Sequence, residues 1–131
     1  MLDNVLDIKK WMRKIYQAQV WTNVPASTVT FTQSSGSSTL EVLSVFVNTC
    51  WLLINVRVTT TASISAGSNV WVGTFSSPYT QIADVKDVGY SSSSNCQFML
   101  STTGSATVRN TAASLSSGAA PSFTLRVPIS R

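Results

Sequence analysis

Asp84 and Asp87 are the two acids of this chain that lie close together, and a pair of carboxylates is what cleavage of a glycosidic bond requires. The other three acids, Asp3, Asp7 and Glu41, are dispersed, and there is no histidine. That absence removes the commonest general base, the usual nucleophilic triads and most zinc sites at once. Residues three apart on a strand point to opposite faces, so Asp84 and Asp87 could pair only across a loop or bulge. With Lys86 between them they read better as a solvated loop. Neither phosphate-binding glycines nor metal-ligand spacing occurs, so the expectation is a non-enzymatic protein with no cofactor.

Carbohydrate binding asks for less: aromatic faces together with hydroxyl, amide or charged partners. Trp71, Tyr79, Tyr90 and Trp51 are the aromatic candidates, and Asn69, Asp84, Asp87, Asn95 and Arg109 are the candidate hydrogen-bonding partners. For each aromatic the competing role is packing in a core or interface. Trp51 is assigned to an interface. Tyr79 and Tyr90, beside Pro78 and a run of serines, are the better ligand contacts.

The elements that would position these residues follow two different periods. From Met1 to Gln19, Met1, Val5, Ile8, Met12 and Ile15 recur in steps of four, three, four and three, the seam of a short coiled coil. Asp3 and Asp7 come early and Lys9, Lys10, Arg13 and Lys14 late, which suits the helix dipole. The competing reading is an amphipathic helix packed on its own β domain. Ile at one seam position with Met or Val at the other leans towards three strands. From Ser27 onward the period becomes two, in short segments rich in Val, Thr, Ile and aromatics broken by Ser, Gly and Pro. The expected organisation is a helical segment over residues 1–20 and a jelly-roll-like antiparallel β-sandwich over 21–131.

Within the β region, strands are expected at Ser27–Thr32, Leu40–Val47, Trp51–Thr60, Asn69–Phe75, Ile82–Val88 and Phe98–Leu100. A hairpin through Gly104 follows, then a strand at Ala106–Arg109 and a last one through Phe123, Leu125, Val127 and Ile129. Gln33–Ser38 is read as a turn and Tyr90–Asn95 as an exposed loop. On Leu40–Val47, Val42 and Phe46 fall on one face and Leu43, Val45 and Val47 on the other. Trp51–Thr60 likewise has apolar residues on both faces, and such strands need cover on both. Burial of Trp51 and Leu53 between subunits would supply it, with Met1, Val5, Ile8, Met12 and Ile15 aligning the copies.

The chain has 131 residues, 44% hydrophobic and only 11% charged, with a net charge of +4. This suits one domain with a hydroxyl-rich, weakly charged surface. Arg57, Lys86, Arg109, Arg126 and Arg131 are scattered, so the concentrated basic stripe of a nucleic-acid binder is missing. Val42–Val58 is interrupted by Ser44, Asn48, Asn55 and Arg57, which argues against membrane insertion. No signal peptide is discernible, and Cys50 and Cys96 are expected to be reduced.

Gly73-Thr74-Phe75, then Pro78-Tyr79, then a strand and the hairpin Phe98-Met99-Leu100-Ser101-Thr102-Thr103-Gly104-Ser105-Ala106-Thr107-Val108 form a pattern over Val70–Arg131. This pattern resembles the C-terminal head of phage tail-fibre and baseplate receptor-binding proteins from phages of Gram-positive bacteria. The family often carries Tyr-Arg-Pro in the loop, where this chain has Ser76-Ser77-Pro78-Tyr79-Thr80; no role of that Arg carries over. The resemblance implies a homotrimeric head on a virion tail tip, made in the host cytoplasm, contacting other tail proteins and binding host-surface saccharide. Trimeric jelly rolls of the C1q and tumour-necrosis-factor type share the architecture. The alternative function is a trimerisation or spacer module with no ligand of its own.

Overall fold

The computed structural model describes residues 7–13, 20–91, 94–111 and 114–130. The chain is mainly β, with one short helix near its N-terminus, α1 (residues 7–13). Ile8, Trp11 and Met12 of α1 are 57%, 68% and 64% exposed, so this stretch does not pack its apolar side chains on the β domain. Met1, Val5 and Ile15 of the expected seam lie outside the described residues.

Two five-stranded sheets stack face to face. The first is ordered β1 (Thr22–Val24), β3 (Ser38–Val47), β4 (Trp51–Thr60), β12 (Ser122–Ser130) and β7 (Thr80–Gln81). The second is ordered β2 (Thr30–Gly36), β6 (Asn69–Ser76), β10 (Ser105–Asn110), β9 (Ser94–Leu100) and β8 (Val85–Ser91). The pair β5 (Ile64–Ser65) and β11 (Ser114–Leu115) closes one end. Every pairing is antiparallel, the expected sandwich.

Strict alternation builds the core. Leu52, Ile54, Val56 and Val58 of β4 and Phe123, Leu125, Val127 and Ile129 of β12 face inward from one sheet, as their period of two requires. Trp71, Phe98, Leu100, Ala106 and Val108 face them from the other, and Val70 is buried next to Trp71 where the register of β6 and β10 shifts. An aromatic cluster joins the layers: Phe98 meets Phe31 and Phe123 edge-on, with ring centroids 5.9 and 5.3 Å apart. Each such side chain contributes roughly 1.5–3 kcal/mol by leaving water.

Local chemistry sets the turns. The Asn48 side-chain oxygen accepts N–H bonds from Cys50 (2.9 Å) and Trp51 (2.8 Å), folding the β3–β4 hairpin where the two strands were expected to part. Asn110, fully buried, donates to the carbonyls of Ile64 and Ser65, both at 3.2 Å, and so anchors β5.

Four expectations are corrected. Ser27 and Thr28 belong to a 3-10 turn, Ala26–Thr28, that follows Pro25; the strand begins at Thr30. Gln33–Gly36 is not a turn but the end of β2, an edge strand whose outer side tolerates polar residues; Ser34 donates to the Val72 carbonyl at 3.3 Å. Tyr90, Ser91, Ser94 and Asn95, expected in a loop, lie in strands, because β8 and β9 stay paired through Tyr90↔Asn95 and Ser91↔Ser94. On β3 a bulge between Val42 and Ser44 reverses the parity. Val42 thus joins Val45 and Val47 on the core side, Phe46 turns outward opposite Leu53, and Leu43 is left 45% exposed.

The strand expected at Ile82–Val88 begins only at Val85, as β8; residues 82–84 cross from β7 in one sheet to β8 in the other, and Ile82 in that crossing is 59% exposed. Both cysteines are free, Cys50 exposed and Cys96 buried on the inner face of β9, where burial pushes its thiol pKa up. Alkylation of the native protein should therefore modify Cys50 alone. Mass spectrometry should show one adduct before denaturation in urea and two after it.

Candidate functional site

The register sorts the candidate ligand contacts to opposite ends of the sandwich. Thr22↔Val47, Val47↔Leu52, Pro128↔Trp51 and Ile129↔Gln81 place β1, the β3–β4 hairpin and β7 together at one end. This is the end at which the chain arrives from α1. Tyr79 lies here, just before β7. Ser122↔Arg57, Arg109↔Asn69 and Tyr90↔Asn95 lie towards the other end, so Tyr90, Asn95 and Arg109 cannot share a pocket with Tyr79. The Tyr90 side chain lies outside the described residues. Asn95 and Arg109 are exposed, and the Asn95 carbonyl accepts from the Thr111 N–H (3.1 Å) and hydroxyl (2.9 Å).

Trp71 is not a ligand platform. It is 1% exposed and meets Phe31 edge-on at 6.0 Å, so its ring has no face for a sugar. Trp51 is 37% exposed on the outer face of its sheet beside half-buried Leu53, with the Arg126 guanidinium 5.7 Å from its ring centroid.

The two acids diverge. Asp84, ahead of β8, accepts the Thr102 N–H at 2.9 Å and so pins the β9–β10 turn. Asp87, within β8, accepts the Thr124 N–H at 3.0 Å on the other sheet. That bond has a clear structural role. The Ile129 N–H donates to the Cys50 carbonyl, so by alternation the odd-numbered N–H groups of β12 face β4 and the even-numbered ones face its outer edge. β7 covers that edge only at Ile129 and Ser130, and Asp87 satisfies it at Thr124. Pro128, with no N–H, also falls on this side. The carboxylates therefore serve two different elements and do not face a common bond.

Around Tyr79 there is a concavity of about 270 Å³ at the end of the sandwich. Ser76, Ser77, Tyr79, Gln81, Thr102 and Thr103 line it, with Phe75, Thr80 and Gly104 completing the wall. Its two sides are the β6–β7 loop and the β9–β10 turn. In the loop, the Ser77 hydroxyl donates to the Tyr79 carbonyl (2.9 Å) and accepts the Tyr79 N–H (3.2 Å), a local closure typical of serine in turns. In the turn, Gly104 adopts φ +89°, a left-handed conformation that L side chains avoid. Its carbonyl accepts the Phe75 N–H at 2.7 Å, which ties turn to loop. The Gln81 amide donates to the carbonyls of Ala83 (2.8 Å) and Leu100 (3.1 Å), fixing the floor.

No charged side chain lines this concavity, and its surface is more polar than apolar. Tyr79 lines this wall while packing partly against the core, and the surface it shares with the hydroxyl and amide groups suits an uncharged, polyhydroxylated ligand. Ser77, Gln81, Thr102 and Thr103 are contacts that the sequence reading missed. Both segments are legible as turns, but their meeting depends on Ser105↔Thr74, a pairing between distant strands. Among the described residues no three His, Cys, Asp or Glu side chains could hold a metal ion, and no helix is long and apolar enough to cross a membrane.

No family model, curated protein or solved structure matches the chain.

Proposed function

We propose that this chain is a non-enzymatic host-adhesion head of a phage tail, homotrimeric through its N-terminal segment, which binds a cell-surface saccharide in the Tyr79 concavity. The observation that carries this reading is the uncharged, hydroxyl-lined pocket beside an aromatic ring, pre-shaped by hydrogen bonds of its own loops. Sugar sites are built from such components, an aromatic body with a few fixed polar groups. Of the residues that carry the resemblance to tail receptor-binding heads, Phe75, Tyr79, Thr102, Thr103 and Gly104 lie in the pocket wall, while Ser76, Ser77 and Thr80 belong to the loop where the chain departs from that pattern. The exposed Ile8, Trp11 and Met12 of α1 support assembly, because an apolar stripe of this kind is stable when it faces its like.

Two measurements test the proposal. Light scattering should give a mass of about three times 14.1 kDa, and a monomer at micromolar concentration would remove the trimer. On Gram-positive cell walls or a glycan array the protein should bind. Tyr79→Ala or Thr103→Val should lower that affinity by about tenfold, ~1.4 kcal/mol. Silence of the wild-type protein on both surfaces would replace this reading with that of a structural spacer.

A further inference from the structure

The β9–β10 turn has a second concavity on its other side, about 230 Å³, on the outer face of the sheet containing β8, β9 and β10. Its floor is Met99. The register sets Lys86, Met99 and Thr107 in one row across the three strands, and Met99 points outward because Phe98 and Leu100, on either side of it, are buried. Ser101 and Ser105, the two ends of the turn, complete the rim with Asp84.

The turn is therefore a shared wall. Thr102, Thr103 and Gly104 line the Tyr79 pocket, while Ser101 and Ser105 line this one. Asp84 belongs to the second pocket and holds the Thr102 N–H of the first, so one carboxylate sets the position of the wall for both. The two surfaces differ in character: the first is more polar than apolar, the second more apolar than polar.

We infer that the second concavity is a subsite for an adjoining sugar of the same glycan, one that carries a methyl group as an N-acetyl or 6-deoxy substituent. This rests on the reading of the Tyr79 pocket as a sugar site. A thioether is soft and adaptable and accommodates a methyl group without demanding a shape. The hydroxyls of Ser105 and Thr107 stand around that floor to meet ring hydroxyls or an amide, while that of Ser101 is held within the turn by the Thr103 hydroxyl (2.7 Å) and the Ser105 N–H (3.2 Å). Lys86 and Asp84 flank it with opposite charges, so the rim favours no net charge on the ligand. At about 230 and 270 Å³, each pocket lies below the ~300–1,000 Å³ of sites for drug-sized ligands, which suits a single ring apiece.

The test is saturation-transfer NMR with titration of three probes, glucose, N-acetylglucosamine and rhamnose, on the full chain. At least one methyl-bearing probe should bind more tightly than glucose, and which of the two does so distinguishes acetamido from deoxy recognition. Met99→Ser should weaken that probe by roughly tenfold, the low end of what a methyl group is worth in an apolar pocket, and leave glucose unchanged. Met99→Gln, which keeps the length of the side chain, should do the same and guards against a folding defect. Glucose binding should instead be lost in Tyr79→Ala. Methyl-bearing probes no tighter than glucose, or unaffected by either Met99 variant, would overturn the second subsite alone. If none of the three probes binds the wild-type chain, the saccharide reading falls and takes the subsite with it.

Discussion

Replacement of Trp71 by alanine should destabilise the folded chain by about 3–5 kcal/mol, the range for removal of a large aromatic from a packed core. Trp71 heads the largest fully buried side chains and is 1% exposed. It lies on β6, a central strand held between β2 and β10, so the structure around the void cannot collapse by moving an edge. It also gives up an edge-on contact with Phe31, with rings at 76°. Single domains have only about 5–15 kcal/mol in total, so the loss should bring the urea midpoint down steeply at an unchanged slope. Saccharide binding by the remaining folded fraction should be retained. A variant with wild-type stability and no binding would return Trp71 to the ligand site.

A single methyl group at Gly89 should be nearly as damaging. An alanine Cβ there would lie 2.6 Å from Phe123 Cε1 and 2.6 Å from the Ser122 carbonyl oxygen. One neighbour is a core ring and the other is backbone of β12, so relief requires the two sheets to part along the seam where β8 meets β12. Overpacking of this kind costs about 1–3 kcal/mol, and Gly89→Ala should reach the upper half of that range. Val88→Ala is the matched control, one residue away but 48% exposed, and should stay within about 0.5 kcal/mol of wild type. Equal melting temperatures for the two variants would mean that the sheets are not in tight contact at Gly89.

These residues show where the sequence was legible. On β4 and β12 the period of two runs unbroken, and eight apolar positions, Leu52 to Val58 and Phe123 to Ile129, fall on the core side as alternation demands. β3 has equally apolar residues, yet the bulge between Val42 and Ser44 has no marker in composition, so Val42 and Phe46, expected on one face, fall on opposite faces. Serine-rich stretches misled for a different reason. Composition reports flexibility, whereas Ser34, Ser91 and Ser94 sit in strands whose order comes from partners elsewhere in the chain. The site divides in the same way. Tyr79 and the Gly104 turn were legible because Pro and Gly announce turns. That they enclose one pocket, and that Tyr90, Asn95 and Arg109 belong to the opposite end, follows from strand order, which local pattern does not encode.

The position of both concavities, at the end where Thr22 leads in from α1, sets how copies of this domain would act together. Copies tethered through the segment before Thr22, as proposed, would hold the proposed sugar sites near the junction and not at splayed tips. A polymer engaged by one site then meets the next at a high effective concentration, and avidity can exceed the single-site affinity by ~10²–10⁴ without any added contact. Shallow pockets, each with room for one ring, would be sufficient in that setting, since weak individual grips allow a surface to be searched before it is held.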